Sequence, residues 1–328
     1  GEGFYPLSVQ IAQAGVHAAT AVLCCIIGMM LWGSRRASTI AALVCSVHPF
    51  LLWYTARIVT ETLATFLFTA FIVALLWYNG QRTTARVALA GLLGGLAALC
   101  KQTFLPLPFL VAAFIVLRQK NERRFVHALV MVCTTVALVL PWTIRNYHVS
   151  NKVIPVHALM GYNFRVGDAL AEHYFEAPMS YMTLVALGKP WQIGGDTITQ
   201  KALHDAERLG DFSVEERILR ASLDRYAADP MFLLRKLLLG LVMFWTISGS
   251  PTATVVTSAL QIPLLVLTVV GGSKLIRRQG MVSLTTLPLW LMAFYMLSHL
   301  PIYSIARFGL VLVPVMLAYA AGVGRWLL

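Results

Sequence analysis

The sequence predicts an all-α membrane protein, a polytopic bundle of about 9–10 apolar transmembrane helices with one extracytoplasmic loop of ~90 residues that contains amphipathic helices. Three observations predict it. The 328 residues are 58% hydrophobic and only 12% charged, with a mean hydropathy of +0.73. Several apolar runs approach the roughly 20 residues that cross a bilayer. Lys and Arg recur in short turns between those runs, whereas 11 of the 14 acidic residues fall within 142–230. The chain therefore reads as transmembrane helices over 1–141, an extracytoplasmic subdomain over 142–230, and C-terminal transmembrane helices over 231–328.

The net charge of +12 invites a nucleic-acid partner. Its distribution excludes one: the cations sit in turns, as membrane orientation requires, and form no basic face interleaved with aromatics. All five cysteines (Cys24, Cys25, Cys45, Cys100 and Cys133) lie in apolar segments. They read as packing thiols, with neither a disulfide framework nor zinc spacing.

Residues 1–7 form an extended lead without Met or a signal peptide. Residues 9–32 make the first span, ended by Arg35 and Arg36, and 40–55 the second, shortened by Pro49. Residues 60–78 make the third, before a turn with Arg82 and Arg86. Two short spans, 87–100 and 104–117, are rich in Gly and Pro and meet at Lys101-Gln102-Thr103. Arg118, Lys120, Arg123 and Arg124 mark the next turn. Residues 125–140 then run to Pro141 and Trp142, which are expected to close the helix at the interface.

The basic pairs occupy every second turn, so those turns are cytoplasmic. The intervening turns then lie outside, carrying Arg57 with Glu61, then Lys101, then Arg145 with the long loop. Within the loop, 199–209 has helical spacing, and Ser213-Val-Glu-Glu216 is a capping box that opens a second helix stopped by Asp229-Pro230. Residues 231–248 are apolar but contain Arg235 and Lys236. Two readings are open there: a span, which puts Lys274, Arg277 and Arg278 outside, or a re-entrant helix, which the charge rule favours and which brings Arg307 to the outer side. Residues 255–272, 285–300 and 308–328 complete the set.

Glu61 is the only carboxylate closely flanked by spans on both sides, and an ionisable residue there is a functional candidate. It can act as a base or hold a divalent cation, or simply neutralise Arg57 four residues earlier. Arg57, Lys101, Arg145 and Arg307 can bind an anion, and in a low dielectric such contacts favour departure of a phosphate leaving group. The same residues have plainer roles as snorkelling anchors at helix ends. His48 and His299, each near a proline, read as hydrogen-bonded packing residues. His157, His173 and His204 lack ligand spacing. Gly161, Asn163 and Gly167 suggest turns. This set of parts suits group transfer from a lipid-linked phosphate. The alternative is a non-enzymatic transporter of a lipid-linked or anionic solute, since transporters also concentrate charge at helix breaks.

Four stretches, HPFLLWYTARIVTETLATFLF (48–68), GLLGGLAALCKQTFLPL (91–107), PWTIRNYHVSNKVIPVHALMGYNFRVGD (141–168) and IARFGLVLVPVMLAYAAG (305–322), resemble the membrane glycosyltransferases of the GT-C class. The likeness is to the protein O-mannosyltransferase and aminoarabinose-transferase-like group, glycosyltransferase family 39 and relatives. It implies an inverting transferase in the plasma (inner) membrane that takes sugar from a polyprenyl-phosphate donor at the periplasmic or extracellular face. The acceptor would be a glycan, lipid or protein. By the same likeness Glu61 is the catalytic candidate, Arg145, Lys101 and Arg307 bind the donor phosphate, and Arg57, Asn146 and Asn163 position substrate. Asp168 stands where the family more often has Asn, and Phe308 follows Arg307 where the family has Tyr. The family carries two further N-terminal helices and an outer loop with an acidic residue. The 328 residues are thus expected to be an incomplete, inactive chain.

Overall fold

The computed structural model describes residues 7–120, 122–157, 160–176, 213–248 and 251–324. Among them the chain is helical throughout, with no strand. The helices are α1 (Leu7–Trp32), α2 (Arg35–Ser46), α3 (Pro49–Thr55), α4 (Glu61–Gly80), α5 (Thr84–Cys100), α6 (Pro106–Arg118), α7 (Arg124–Ser150), α8 (Met160–Glu176), α9 (Ser213–Ala228), α10 (Pro230–Thr246), α11 (Pro251–Gln279), α12 (Leu287–His299), the short α13 (Ala306–Gly309) and α14 (Val313–Gly324). Among the described residues five stretches are long and apolar enough to cross a membrane: α1, α4, α7, α11 and Ala306–Val323. The bent pair α2–α3 would make a sixth. Residues 84–100, 102–118 and 287–299 are apolar but shorter. The 17-residue α10, interrupted by Arg235 and Lys236, meets neither description. The expected 199–209 helix lies outside the described residues.

Several boundaries differ from expectation for local reasons. Arg35 and Arg36 open α2; the turn is only Gly33-Ser34, with Gly33 at φ +67° and the Ser34 hydroxyl accepting from the Ala37 N–H. Pro49 bends the second span by 50°. Pro141 does not end α7, which runs on to Ser150. One missing N–H is tolerated because the following turns are tied to the returning chain: Trp142 Nε1 donates to the Val156 carbonyl at 2.8 Å and Thr143 Oγ1 to that of Pro155 at 3.1 Å. At 27 residues α7 is about 40 Å long, more than the hydrocarbon thickness requires. The last span is interrupted by a 3₁₀ turn at Leu310–Leu312. Gly161, Asn163 and Gly167 lie within α8 and not in turns. Ser213 opens α9, but Glu216 reaches Lys152 at 2.7 Å, which pulls its carboxyl below the usual range, while Glu215 accepts from the Gly161 and Tyr162 N–H groups and so caps α8.

The chain forms two compact units. The first is Gly1–Pro141, Pro263–Ala293 and Leu310–Leu328; the second is Trp142–Ile262 and Phe294–Gly309. Residues 231–262 and 294–309, expected among the C-terminal membrane helices, thus pack with the 142–230 segment. Of the candidate spans, α4 and the Ala306–Val323 stretch are the most enclosed, at 67% and 78% buried. Cys24 and Cys45 are buried thiols, and Cys24 Sγ donates to the Pro314 carbonyl at 3.1 Å.

Small residues set the helix spacing in this unit. Gly91 and Gly95, four apart on α5, press against α7, and Thr135 Oγ1 donates to the Gly91 carbonyl at 3.0 Å. A Cβ at Gly91 would land on Thr134 Oγ1 and 2.7 Å from the Met131 carbonyl oxygen, whereas one at Gly15 on α1 would meet nothing within 4 Å. Gly91→Val is therefore expected to destabilise the folded protein by about 1–3 kcal/mol. Gly15→Ala is expected to stabilise it by roughly 0.4–1 kcal/mol. Reversible denaturation in micelles measures both.

Candidate functional site

The first unit buries one ion pair. α4 and α5 are an antiparallel hairpin, and Glu61 and Lys101 each lie twenty positions from Gln81 in its turn, so the hairpin brings them level. Lys101 is extended (φ −142°, ψ 117°) at the corner between α5 and the 3₁₀ turn Gln102–Phe104, and its Nζ meets Glu61 Oε1 at 3.0 Å. The side chains are 12% and 3% exposed. Beside them is a water-sized cavity of about 10 Å³ lined by His17, Thr20, Tyr54, Thr55, Glu61 and Thr62. Arg57 is exposed, its guanidinium 4.4 Å over the Trp53 ring.

The second unit buries another. Asp168 on α8, Tyr226 on α9 and Lys236 on α10 converge. Lys236 Nζ donates to Asp168 Oδ1 at 2.6 Å and to the Tyr226 hydroxyl at 2.7 Å, and that hydroxyl donates to Asp168 Oδ1 at 2.5 Å. Lys236 also donates to the Phe164 carbonyl at 3.3 Å and lies 5.2 Å from the Tyr226 ring centroid. Burial, together with the Asp168 carboxylate, pushes the Tyr226 hydroxyl far above its ordinary value. Burial draws the Lys236 ammonium down, against the pull of Asp168. Gly167 permits the approach: a Cβ there would land on the Ile302 carbonyl oxygen and sit 3.1 Å from Lys236 Nζ. Asp229 caps α10 by accepting from the Phe232 N–H at 2.9 Å, which fixes the turn joining Tyr226 to Lys236.

The other expected site residues are Arg145, Asn146, Asn163 and Arg307. Arg145 Nη1 donates to Asn146 Oδ1 at 3.1 Å, and its guanidinium lies 5.0 Å from the Trp142 ring. Asn146 is buried and spends its amide on the Ile154 and Val156 carbonyls, at 3.0 Å each, so it shapes the turn after α7. Asn163 is half-buried on α8, and Arg307 half-buried on α13. His48, expected to be hydrogen-bonded, is 5% exposed with no partner for either ring nitrogen among the described residues. No group of three or more potential metal ligands occurs among the described residues.

Lys236 and Asp168 were not among the expected site residues. The signal existed: a lysine inside an apolar run, and an acid where an amide was expected. Lys236→Met would strand a buried carboxylate, and we expect a loss of about 3–5 kcal/mol, largely restored by the double variant Lys236→Met/Asp168→Leu.

The tyrosine carries a separate pH expectation. Its folded-state pKa is raised, so the native state holds a proton that the unfolded state releases above the ordinary 10.0, and this contribution to stability is lost as pH rises past that point. Phenolate absorbance of the folded protein and of Tyr226→Phe should therefore match until alkaline unfolding. Comparison with known protein families, with characterised proteins and with solved structures finds no match for this chain.

Proposed function

We propose that this chain is an integral membrane glycosyltransferase that takes sugar, with inversion, from a polyprenyl-phosphate donor at the extracytoplasmic face of the plasma membrane. The observation that carries the reading is the Lys101–Glu61 pair, an ammonium and a carboxylate enclosed among apolar helices. Replacing such a pair by apolar residues is often neutral or stabilising, so stability alone does not account for it. Lys101 offers the charge that a donor phosphate needs as it becomes a leaving group. Glu61 holds that ammonium in place, and positions the acceptor or a divalent cation. In the transfer the acceptor hydroxyl attacks the anomeric carbon, the bond from that carbon to the phosphate oxygen breaks, and the hydroxyl proton passes to a carboxylate.

A transporter is the second reading, favoured by the 50° break between α2 and α3, since broken helices line many transport sites. It requires movement of the lipid or solute across liposomes with no covalent product.

Native mass spectrometry of the protein in micelles, loaded with polyprenyl phosphate or with polyprenol, tests the donor site. Polyprenyl phosphate should be retained in preference to the alcohol. Lys101→Arg should keep that preference, and the double variant Lys101→Met/Glu61→Gln should weaken it by about tenfold or more. Equal retention of both lipids by all three proteins would end the proposal. In a preparation that transfers sugar, Arg145→Ala is expected to lower kcat/KM at least ~100-fold.

A further inference from the structure

The second unit contains a cavity of about 200 Å³ lined by Arg165, Asp168, Ile218, Ala221, Ser222 and Arg225. The cavity is partly open to solvent, since the Arg165 and Arg225 side chains are 40% and 35% exposed, and it has room for roughly six or seven waters at ~30 Å³ each. Its lining is unevenly charged. Arg165 and Arg225 share a single carboxylate, Glu172: Arg165 Nη1 is 3.7 Å from Glu172 Oε1, and Arg225 bonds the same oxygen directly. Asp168, in the same lining, is already matched by Lys236. Among these five side chains three cations face two carboxylates, so one positive charge is in excess. Tyr226 and Lys236 both bond Oδ1 of Asp168, which leaves Oδ2 without a hydrogen bond among the described residues, and Ser222 lines the same cavity.

Two guanidiniums, a carboxylate and a hydroxyl in one lining suit a ligand with a phosphoryl group and hydroxyls. We propose that this cavity binds a polyol phosphate, its phosphoryl oxygens on Arg165 and Arg225 and a hydroxyl on Asp168. Glu172 is the resident competitor that the phosphoryl group displaces. Guanidinium forks match phosphate bidentately, so the exchange replaces one shared carboxylate with an anion that satisfies both arginines. The ligand is either a free polyol phosphate or the headgroup of an anionic phospholipid. The inference does not rest on the glycosyltransferase reading.

The test uses the full chain in phosphatidylcholine nanodiscs, titrated with glycerol 3-phosphate by calorimetry, and in parallel nanodiscs in which phosphatidylglycerol replaces part of the phosphatidylcholine, read as a shift in thermal unfolding. Binding in the first arm assigns a free polyol phosphate; a shift in the second alone assigns a headgroup. In whichever arm responds, Arg165→Gln should weaken binding about tenfold and Glu172→Gln should tighten it about three- to tenfold. Arg225 is left intact because its guanidinium also packs 3.7 Å from the Phe232 ring centroid. Circular dichroism confirms that both variants are folded. No response in either arm, or a response unchanged by Arg165→Gln, overturns the site. Weaker binding in Glu172→Gln overturns the competitor role and with it the proposal.

Discussion

A charge carried away from water must bring its partner with it, and much of this protein's specific architecture follows from that constraint. A buried ammonium or carboxylate left alone costs several kcal/mol, on the order of a whole domain's net stability. Among the described residues each unit encloses one such pair, Lys101–Glu61 in the first and Lys236–Asp168 in the second, and each fixes the helices that carry it. In the first unit the pair locks the register of the α4–α5 hairpin: sliding α5 by one turn, about 5.4 Å, would strand both charges. In the second, one hydrogen-bond network spans α8, α9 and α10, so the two more polar helices and the apolar α10 are held by polar bonds as well as by the Ala171, Tyr226 and Phe232 cluster.

Close approach is the complementary requirement. Hydrogen bonds act at about 3 Å, and a side chain reaches a neighbouring helix's backbone at that distance most readily where the facing residues are small. Gly91 and Gly95 let α5 meet α7, and Gly167 lets α8 reach Ile302 and Lys236. The last case ties backbone shape to charge placement, since any side chain at 167 would push against the Lys236 ammonium itself. A glycine inside a helix costs roughly 0.5–1 kcal/mol of intrinsic propensity. Here the tertiary contacts it permits offset that cost.

Hydropathy made the helices legible, because crossing a bilayer demands long apolar runs whatever they pack against. The meeting of Glu61 and Lys101 was also implicit, since both lie the same distance from the turn at Gln81. Pro141 misled because a missing N–H is a local signal, whereas the bonds from Trp142, Thr143 and Asn146 to residues 154–156 that sustain α7 are made by a chain that returns later. The same applies to Gly161 and Gly167, where glycine marks both turns and close packing and only the neighbouring helix decides. Lys236 was hidden by its surroundings. In an apolar run it reads as an anchor, and its partner lies 68 residues away on an element of different character.

The two enclosed carboxylate–cation sets differ in the space beside them, and that difference bears on how each would meet a ligand. Next to Lys101–Glu61 there is room for about one water, at about 10 Å³, so a phosphate would reach the ammonium only by displacing Glu61 or by moving the helices that hold it. Next to Asp168 and the Arg165–Glu172–Arg225 cluster about 200 Å³ stands ready. In both places a carboxylate occupies the cation that an incoming anion would need, so measured affinity would be the difference between two charge-assisted contacts, less the rearrangement. Such exchange favours ligands that satisfy two cations at once, or that offer the released carboxylate a hydroxyl or a metal ion in return. A simple monovalent anion offers neither. Sites built this way would favour phosphate esters over the chloride of ordinary solution before any shape-specific contact is made.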